Sequence, residues 1–386
     1  MQIRQPGSNR VRKPHMPSSE LDYITVKGFK SFASIEALPL QPINVVIGPN
    51  GSGKSNFIGV FAFLNAIREG HLQDYVTKAG GAEKVLHFGS KTTSVIEIHI
   101  SFKDGINQYS IKLAPGPGDQ LYPAGETVWF WNKYRHPDGP YGEPLIPHGR
   151  EAGISNPDSK KIASYVRDHL QSWRLYHFHD TSAGSPMKKT ASLNDNRFLR
   201  PDGSNLAAFL YFLREKHAEV YGLIRGTVQR VAPFLDDFQL EPARLKPDSI
   251  ILEWRHKNSD AYFDANSFSD GTLRFIALAT LLLQPEKYRP SVILVDEPEL
   301  GLHPYAITML ASLIKQASTK TQVIVGTQSP LLLDHFRPED VLVANRFEGS
   351  THLTRLESSK LSTWLEDYSL GQLWEKNEIG GRPAKE

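Results

Sequence analysis

Ile43-Asn-Val-Val-Ile47, followed at once by Gly48-Pro-Asn-Gly-Ser-Gly-Lys-Ser55, is the stretch on which the fold turns. The first five residues form a short β-branched run, the signature of a buried strand. From Ser55 to Ile67, Phe57, Val60, Phe61, Phe63, Leu64 and Ile67 recur at helical spacing. The loop between them fits G-x-x-x-x-G-K-[ST], in the strand-loop-helix setting that motif requires. Its glycines leave no Cβ in the way, so backbone N–H groups and the positive end of the helix can surround a polyphosphate. Asn50, Gly51, Ser52, Gly53, Lys54, Ser55 and Asn56 are therefore the candidate phosphate-binding residues. Lys54 is expected to reach the β- and γ-phosphates of ATP, and Ser55 to ligate Mg²⁺.

A metal held by such a loop needs a carboxylate from a neighbouring strand. Val292-Ile-Leu-Val-Asp296-Glu297 supplies it: Asp296 is expected to contact Mg²⁺ directly or through water, and Glu297 to polarise an attacking water as general base. Ser291–Val295 and Gln322–Val325 are continuous apolar runs, as expected of strands covered on both faces, with a helix at Tyr305–Ala317 between them. Val341–Phe347 and His352–Leu356 complete the sheet, and a last helix is expected over Leu361–Glu375. Upstream, Ile96, Ile98, Ile100 and Phe102 alternate with polar residues as in an antiparallel strand, and Tyr109–Leu113 and Thr127–Tyr134 read as its neighbours. Pro115–Pro123 and Pro137–Pro157 read as loops. Helices are expected over Lys160–Leu175 and, unbroken, from Ser204 to about Val231. No heptad repeat is sustained, so this middle part is a compact lobe and not a coiled-coil arm.

Composition narrows the partners. The 386 residues carry 44 Lys+Arg against 42 Asp+Glu, a net charge of +2, which argues against a polybasic coat for nucleic acid while leaving room for a local basic patch. The absence of cysteine removes disulfides, thiolate zinc sites and cysteine nucleophiles, and suits a reducing cytoplasm. No apolar run approaches the roughly 18 to 20 residues a membrane span requires. Residues 1–20, with Arg4, Arg10, Arg12 and Lys13, read as a flexible basic tail with no signal-peptide core. His177, His179 and Asp180 cluster in Tyr176-His-Phe-His-Asp-Thr-Ser182, where hydrogen bonding within a loop is favoured over metal binding. Trp129 and Trp131 share a strand face and read as core or interface.

Phe268-Ser269-Asp270-Gly271-Thr272, opening a helix over Leu273–Leu282 before the acidic strand, resembles the signature loop of ABC-type ATPases. Glu297-Pro-Glu-Leu-Gly-Leu-His-Pro304 resembles the run typical of the RecF-, OLD- and SMC-like branch, as does the opening segment Tyr23–Phe32. The resemblance implies an α/β fold: a P-loop ABC-type head with an antiparallel β subdomain and an inserted helical lobe. On it, residues 21–135 and 251–386 are the two parts of the head and 136–250 the loop and lobe. It further implies that Ser269 and Gly271 act in trans, two chains sandwiching two ATP molecules, and that Tyr176–Ser182 stands where a glutamine loop is usual. Asp270 replaces a glycine of the signature and is expected to cap the helix. Gln328 stands where a histidine is general. It can hydrogen-bond a phosphate oxygen or the water but carries no charge, so slow turnover is expected.

The function expected is that of a cytoplasmic, homodimerising ATPase (ATP and water to ADP and phosphate). It acts as a switch on a separately encoded nuclease or toxin-like effector in anti-phage defence or repair. The alternative is a RecF-like repair clamp that binds DNA directly when loaded with ATP. A transporter motor and a small-molecule kinase are disfavoured by the acidic strand and by Glu297 with the signature helix.

Overall fold

The computed structural model describes residues 20–158 and 161–380; most of the expected tail lies outside them. Three layers stack around one helix. The outer layer is an antiparallel sheet of β1 (Leu21–Phe29), β2 (Phe32–Pro39), β4 (Ile96–Phe102), β5 (Asn107–Gly116), β6 (Gln120–Phe130) and β7 (Tyr141–Pro144), in the order β2-β1-β4-β5-β6-β7. The central sheet contains β3 (Ile43–Ile47), β8 (Trp173–Tyr176), β14 (Val292–Asp296), β15 (Gln322–Thr327), β16 (Val341–Phe347) and β17 (Ser350–Arg355), in the order β17-β16-β3-β15-β14-β8, parallel except for β17. α1 (Lys54–Glu69) lies between the sheets and is buried at Phe57, Val60, Phe61, Phe63, Leu64 and Ile67. Short α2 (Leu72–Lys78) and α3 (Ala82–Val85) follow it, and α4 (Lys161–Gln171) packs on it.

The period-2 geometry of a strand explains how one sheet serves two cores. Ile43, Val45 and Ile47 of β3, Ile293 and Val295 of β14, and Val323 and Val325 of β15 face the helical layer. Val46, Leu294 and Ile324 face α1. The helical layer comprises α5 (Leu206–Lys216), α6 (Ala218–Val231), α7 (Asp270–Leu283) and α8 (Pro304–Ala317). Beside them lie the three-stranded sheet β10 (Leu235–Gln239), β12 (Glu253–His256), β13 (Tyr262–Asp264) and the two-residue pairing of β9 (Ala191–Ser192) with β11 (Ser249–Ile250). The chain closes with α9 (Pro330–Leu333), α10 (Ser358–Leu361) and α11 (Leu370–Glu375).

Several local expectations are corrected. The helix expected to reach Leu175 ends at Gln171, and Trp173–Tyr176 is a strand of the central sheet. The unbroken helix over 204–231 is two, divided at His217, whose backbone (φ −143°) leaves the helical region and caps both. The Pro115–Pro123 loop is mostly the tip of the β5–β6 hairpin, with a bulge where Leu113 pairs with Pro123. The final helix is broken into α10, a 3₁₀ turn and α11. Trp129 is partly exposed beside His99, and Trp131 lies beyond the strand under Lys133, so neither is core.

Candidate nucleotide-binding site

The glycine-rich loop joins β3 to α1, and its glycines are there for space and backbone angle. A Cβ on Gly48 would sit 2.5 Å from Ser52 Oγ and 2.6 Å from the Ala344 carbonyl. Gly51 and Gly53 have φ of +78° and +103°, the region that favours glycine. Lys54 is 4% exposed and its Nζ donates to the carbonyls of Gly48 (2.7 Å) and Pro49 (2.9 Å), folded back across the loop that would hold phosphates. Desolvation lowers its pKa, opposed by Glu297, Asp296 and Glu299. Three carboxylates thus face one buried ammonium.

Two of these come from the end of β14. Ser55 Oγ donates to Asp296 Oδ2 at 2.7 Å, joining residues 241 apart in sequence, and Asp296 Oδ1 is buried without a partner. A hydroxyl against a carboxylate with an oxygen to spare is a donor set suited to a hard divalent cation such as Mg²⁺. Glu297 has φ of +42°, uncommon and strained for a residue with a side chain. Its N–H donates to Gly326 O (2.7 Å), and its carboxylate accepts a short hydrogen bond from Gln328 Nε2. Gln328 therefore meets the expected base directly.

Glu299, Ser31 and Thr351, which the sequence alone did not single out, hold this arrangement. Glu299 Oε1 accepts from Thr327 Oγ1 and from Gln328 N (3.3 Å), while its Oε2 is buried and unpartnered; desolvation raises its pKa. The Glu-Pro-Glu spacing was the available signal. On the loop's other side, Thr351 Oγ1 of β17 bonds to Ser52 O and Ser31 Oγ (both 2.8 Å), and Asn56 Nδ2 donates to Ser31 Oγ (2.9 Å). No motif marks Thr351.

The signature segment opens α7, with Ser269 and Asp270 exposed. Ser269, and not Asp270 as expected, caps α7: its Oγ accepts from Thr272 N (3.2 Å), leaving Asp270 in the first turn where a carboxylate suits the helix dipole. Gly271 lies against the Gly301 turn, where a Cβ would come 2.2 Å from its carbonyl. One turn on, buried Arg274 donates to Phe178 O (3.0 Å) and His179 O (3.1 Å), tying α7 to the segment after β8. Among the described residues no hydrogen bond joins Ser269 or Gly271 to the glycine-rich loop. His177 opens that segment beside β14. Desolvation, then His179, lower its pKa, and Asp296 opposes them. Asp180 is engaged by Ser182, and among the described residues no group of three His, Cys, Asp or Glu could hold a metal.

The comparisons agree with this architecture. Residues 43–334 match the family described as "AAA domain, putative AbiEii toxin, Type IV TA system". The OLD nuclease of Thermus scotoductus is 22% identical over 356 residues, covering 85% of this chain and 61% of that protein. The chromosome partition protein Smc of Mycobacterium tuberculosis is 32% identical over 112 residues, covering 24% of this chain and 9% of that protein. The chain thus spans less than two thirds of either relative. Among solved structures, the Smc head bound to the C-winged helix domain of ScpA superposes with a TM-score of 0.59 at 18% identity, covering 89% of this chain and 99% of that one. The head of the Smc from Pyrococcus furiosus, with an extended coiled coil, gives 0.55 at 16%, covering 90% and 99%. No helix among the described residues is long and apolar enough to cross a membrane. With a P-loop, an acidic partner strand and an SMC-head fold in one chain, the protein belongs to this AAA family, as an ABC-type ATPase of the RecF/OLD/SMC-like branch.

Proposed function

We propose that the chain is an ATP-driven dimerising switch that hydrolyses ATP slowly and passes its state to a separate effector, in defence against phage or in DNA repair. The observation that carries this reading is the bridge from Ser55 to Asp296 at 2.7 Å, which brings the two halves of the site together. The backbone of the loop and Asn50 to Asn56 hold the phosphates, with Lys54 leaving the Gly48 and Pro49 carbonyls to meet them. Ser55 and Asp296 hold Mg²⁺, which neutralises phosphate charge when bound. Water adds to the γ-phosphorus as ADP leaves, and Glu297 takes the proton of that water. Gln328, bonded to the Glu297 carboxylate, fixes its direction but carries no charge, which supports a slow rate. Ser269 and Gly271 of a second copy close the site, and loss of the γ-phosphate on hydrolysis releases them.

Wild type and Glu297→Gln, weighed with and without ATP and assayed for phosphate release, test this. The variant should lose about 10²- to 10⁴-fold in turnover while still binding ATP and remaining dimeric with it. A wild type that neither assembles with ATP nor turns over would sink the proposal. Ser269→Arg should lose turnover and keep ATP binding; retained turnover would refute the trans arrangement. Titrating DNA onto the ATP-loaded dimer separates control of an effector from a direct DNA clamp.

A further inference from the structure

β8 is the last strand of the central sheet, paired with β14 and with no other strand among the described residues; its open edge ends at His177, whose N–H donates to Pro201 O (2.9 Å). Trp173 and Leu175 pack on the α1 side, Tyr176 on the helical side, as alternation requires. A cavity flanks each side. The one beside α1, about 230 Å³, is lined by Phe61, Asn65, Leu175, Leu294, His177 and Pro201. The other, about 240 Å³, is lined by Arg174, Arg197, Phe198, Lys287 and Arg289; Arg174 borders both.

The second cavity is cationic, offset in part by Glu286, whose charge opposes the desolvation that lowers the Arg289 pKa. Neighbouring Arg200 is paired with Asp195, and Glu286 faces Lys320 at 3.9 Å, yet no ion pair among the described residues reaches Arg174, Arg197, Lys287 or Arg289. Arg289 Nε is buried without a partner. Arg174 lies over the Phe198 ring at 5.1 Å and donates to the carbonyls of Gln171 and, at 2.8 Å, Trp173. A charged side chain so placed guards a strand edge against indiscriminate pairing.

We propose that β8 is a docking edge for an extended segment of a partner protein. The segment adds as a strand, placing apolar side chains in the α1-side cavity and, in alternation with them, acidic side chains in the cationic one. Main-chain hydrogen bonds supply affinity and the two cavities supply specificity. An incoming carboxylate draws the Arg174 guanidinium away from the Trp173 carbonyl and frees that carbonyl to accept from the new strand. A phosphate backbone would use the cations but leave the Phe61 and Leu294 cavity and the strand edge unused. The docking needs no nucleotide, so it stands apart from the ATPase reading.

The test uses the full chain without ATP and a fluorescein-labelled acetyl-Val-Glu-Val-Glu-Val-Glu amide, followed by anisotropy. Saturable binding is expected. Of two versions N-methylated at alternate positions, one should bind about tenfold or more weakly, because a strand offers only every second N–H to its neighbour. Arg197→Glu with Lys287→Glu, both at exposed positions, should weaken binding about tenfold and prefer the peptide with Lys in place of Glu. Absence of saturable binding, equal affinity of both N-methylated peptides, or displacement by a short single-stranded DNA at comparable concentration would each overturn the proposal.

Discussion

Glu299 is a third carboxylate in the field of Lys54, and its environment differs from that of its neighbours. One oxygen serves Thr327 and the backbone of Gln328, and the other is buried without a partner. Burial raises its pKa, so the folded protein holds this proton more tightly than the unfolded chain does. That contribution to stability is complete below the unfolded pKa and is lost as pH rises through the folded one. Glu299→Gln keeps a neutral group that can accept both bonds. Its melting temperature should exceed that of wild type at about pH 8, and the gap should close toward about pH 5. A gap independent of pH would show that the carboxyl is already ionised. At Gly53, φ of +103° and a Cβ position 2.3 Å from Thr351 Oγ1 leave no room for alanine. Gly53→Ala should abolish binding of a fluorescent ATP analogue, whereas Thr351→Val, which strips only a hydroxyl from the hydrogen bonds to Ser52 and Ser31, should weaken binding and cost about 1–3 kcal/mol of stability in urea. That Lys54, Ser55, Asp296 and Glu297 come together was legible, because a glycine-rich strand-loop-helix and an acidic strand end are read from residue type at fixed spacing. Thr351 was not, because it meets Ser52 from 299 residues away through chain geometry alone.

Among the elements, α7 carries the most consequence. It is buried from Leu273 to Leu283, as a helix apolar all round should be, and its two polar exceptions are Thr280, bonded to Ile276 O, and Arg274, held by the carbonyls of Phe178 and His179. Arg274→Met removes those donors while keeping the side chain's bulk. We expect ATP to bind its loop normally but turnover to fall, because the signature end of α7 is no longer fixed to the segment beside Asp296; turnover equal to wild type would show the tie to be merely structural. The parallel runs at β14 and β15 were legible because strands covered on both faces are apolar throughout. β8 was hidden: Trp-Arg-Leu-Tyr is too short to declare a period of two, and it continues the apolar phase of α4. The break at His217 was hidden in the same way, since the stripe of α5 runs on into α6 without a proline or glycine at the boundary.

At the scale of the molecule, α1 is the shared wall of the two sheets. Phe57 is fully buried there, edge-on to Phe32 of the outer sheet and to Phe61. Phe57→Ala should lower the unfolding free energy by about 3–5 kcal/mol in denaturant titration, with both sheets lost in one transition. The sheets also meet at their ends. Gln322, opening β15, accepts from Leu21 N and donates to Leu21 O and Gln41 O, all at 3.0 Å, so a side chain extends a ladder across 301 residues of sequence. That span sets a timetable for biosynthesis. At about 5–20 residues per second, a ribosome needs roughly 15–60 s to deliver Gln322 after Leu21. For most of that interval β1, β3 and α1 present apolar faces with neither β14 nor β15 yet made to cover them. The nascent chain is therefore expected to depend on holding chaperones, and a chain truncated before Gln322 should aggregate instead of folding in part.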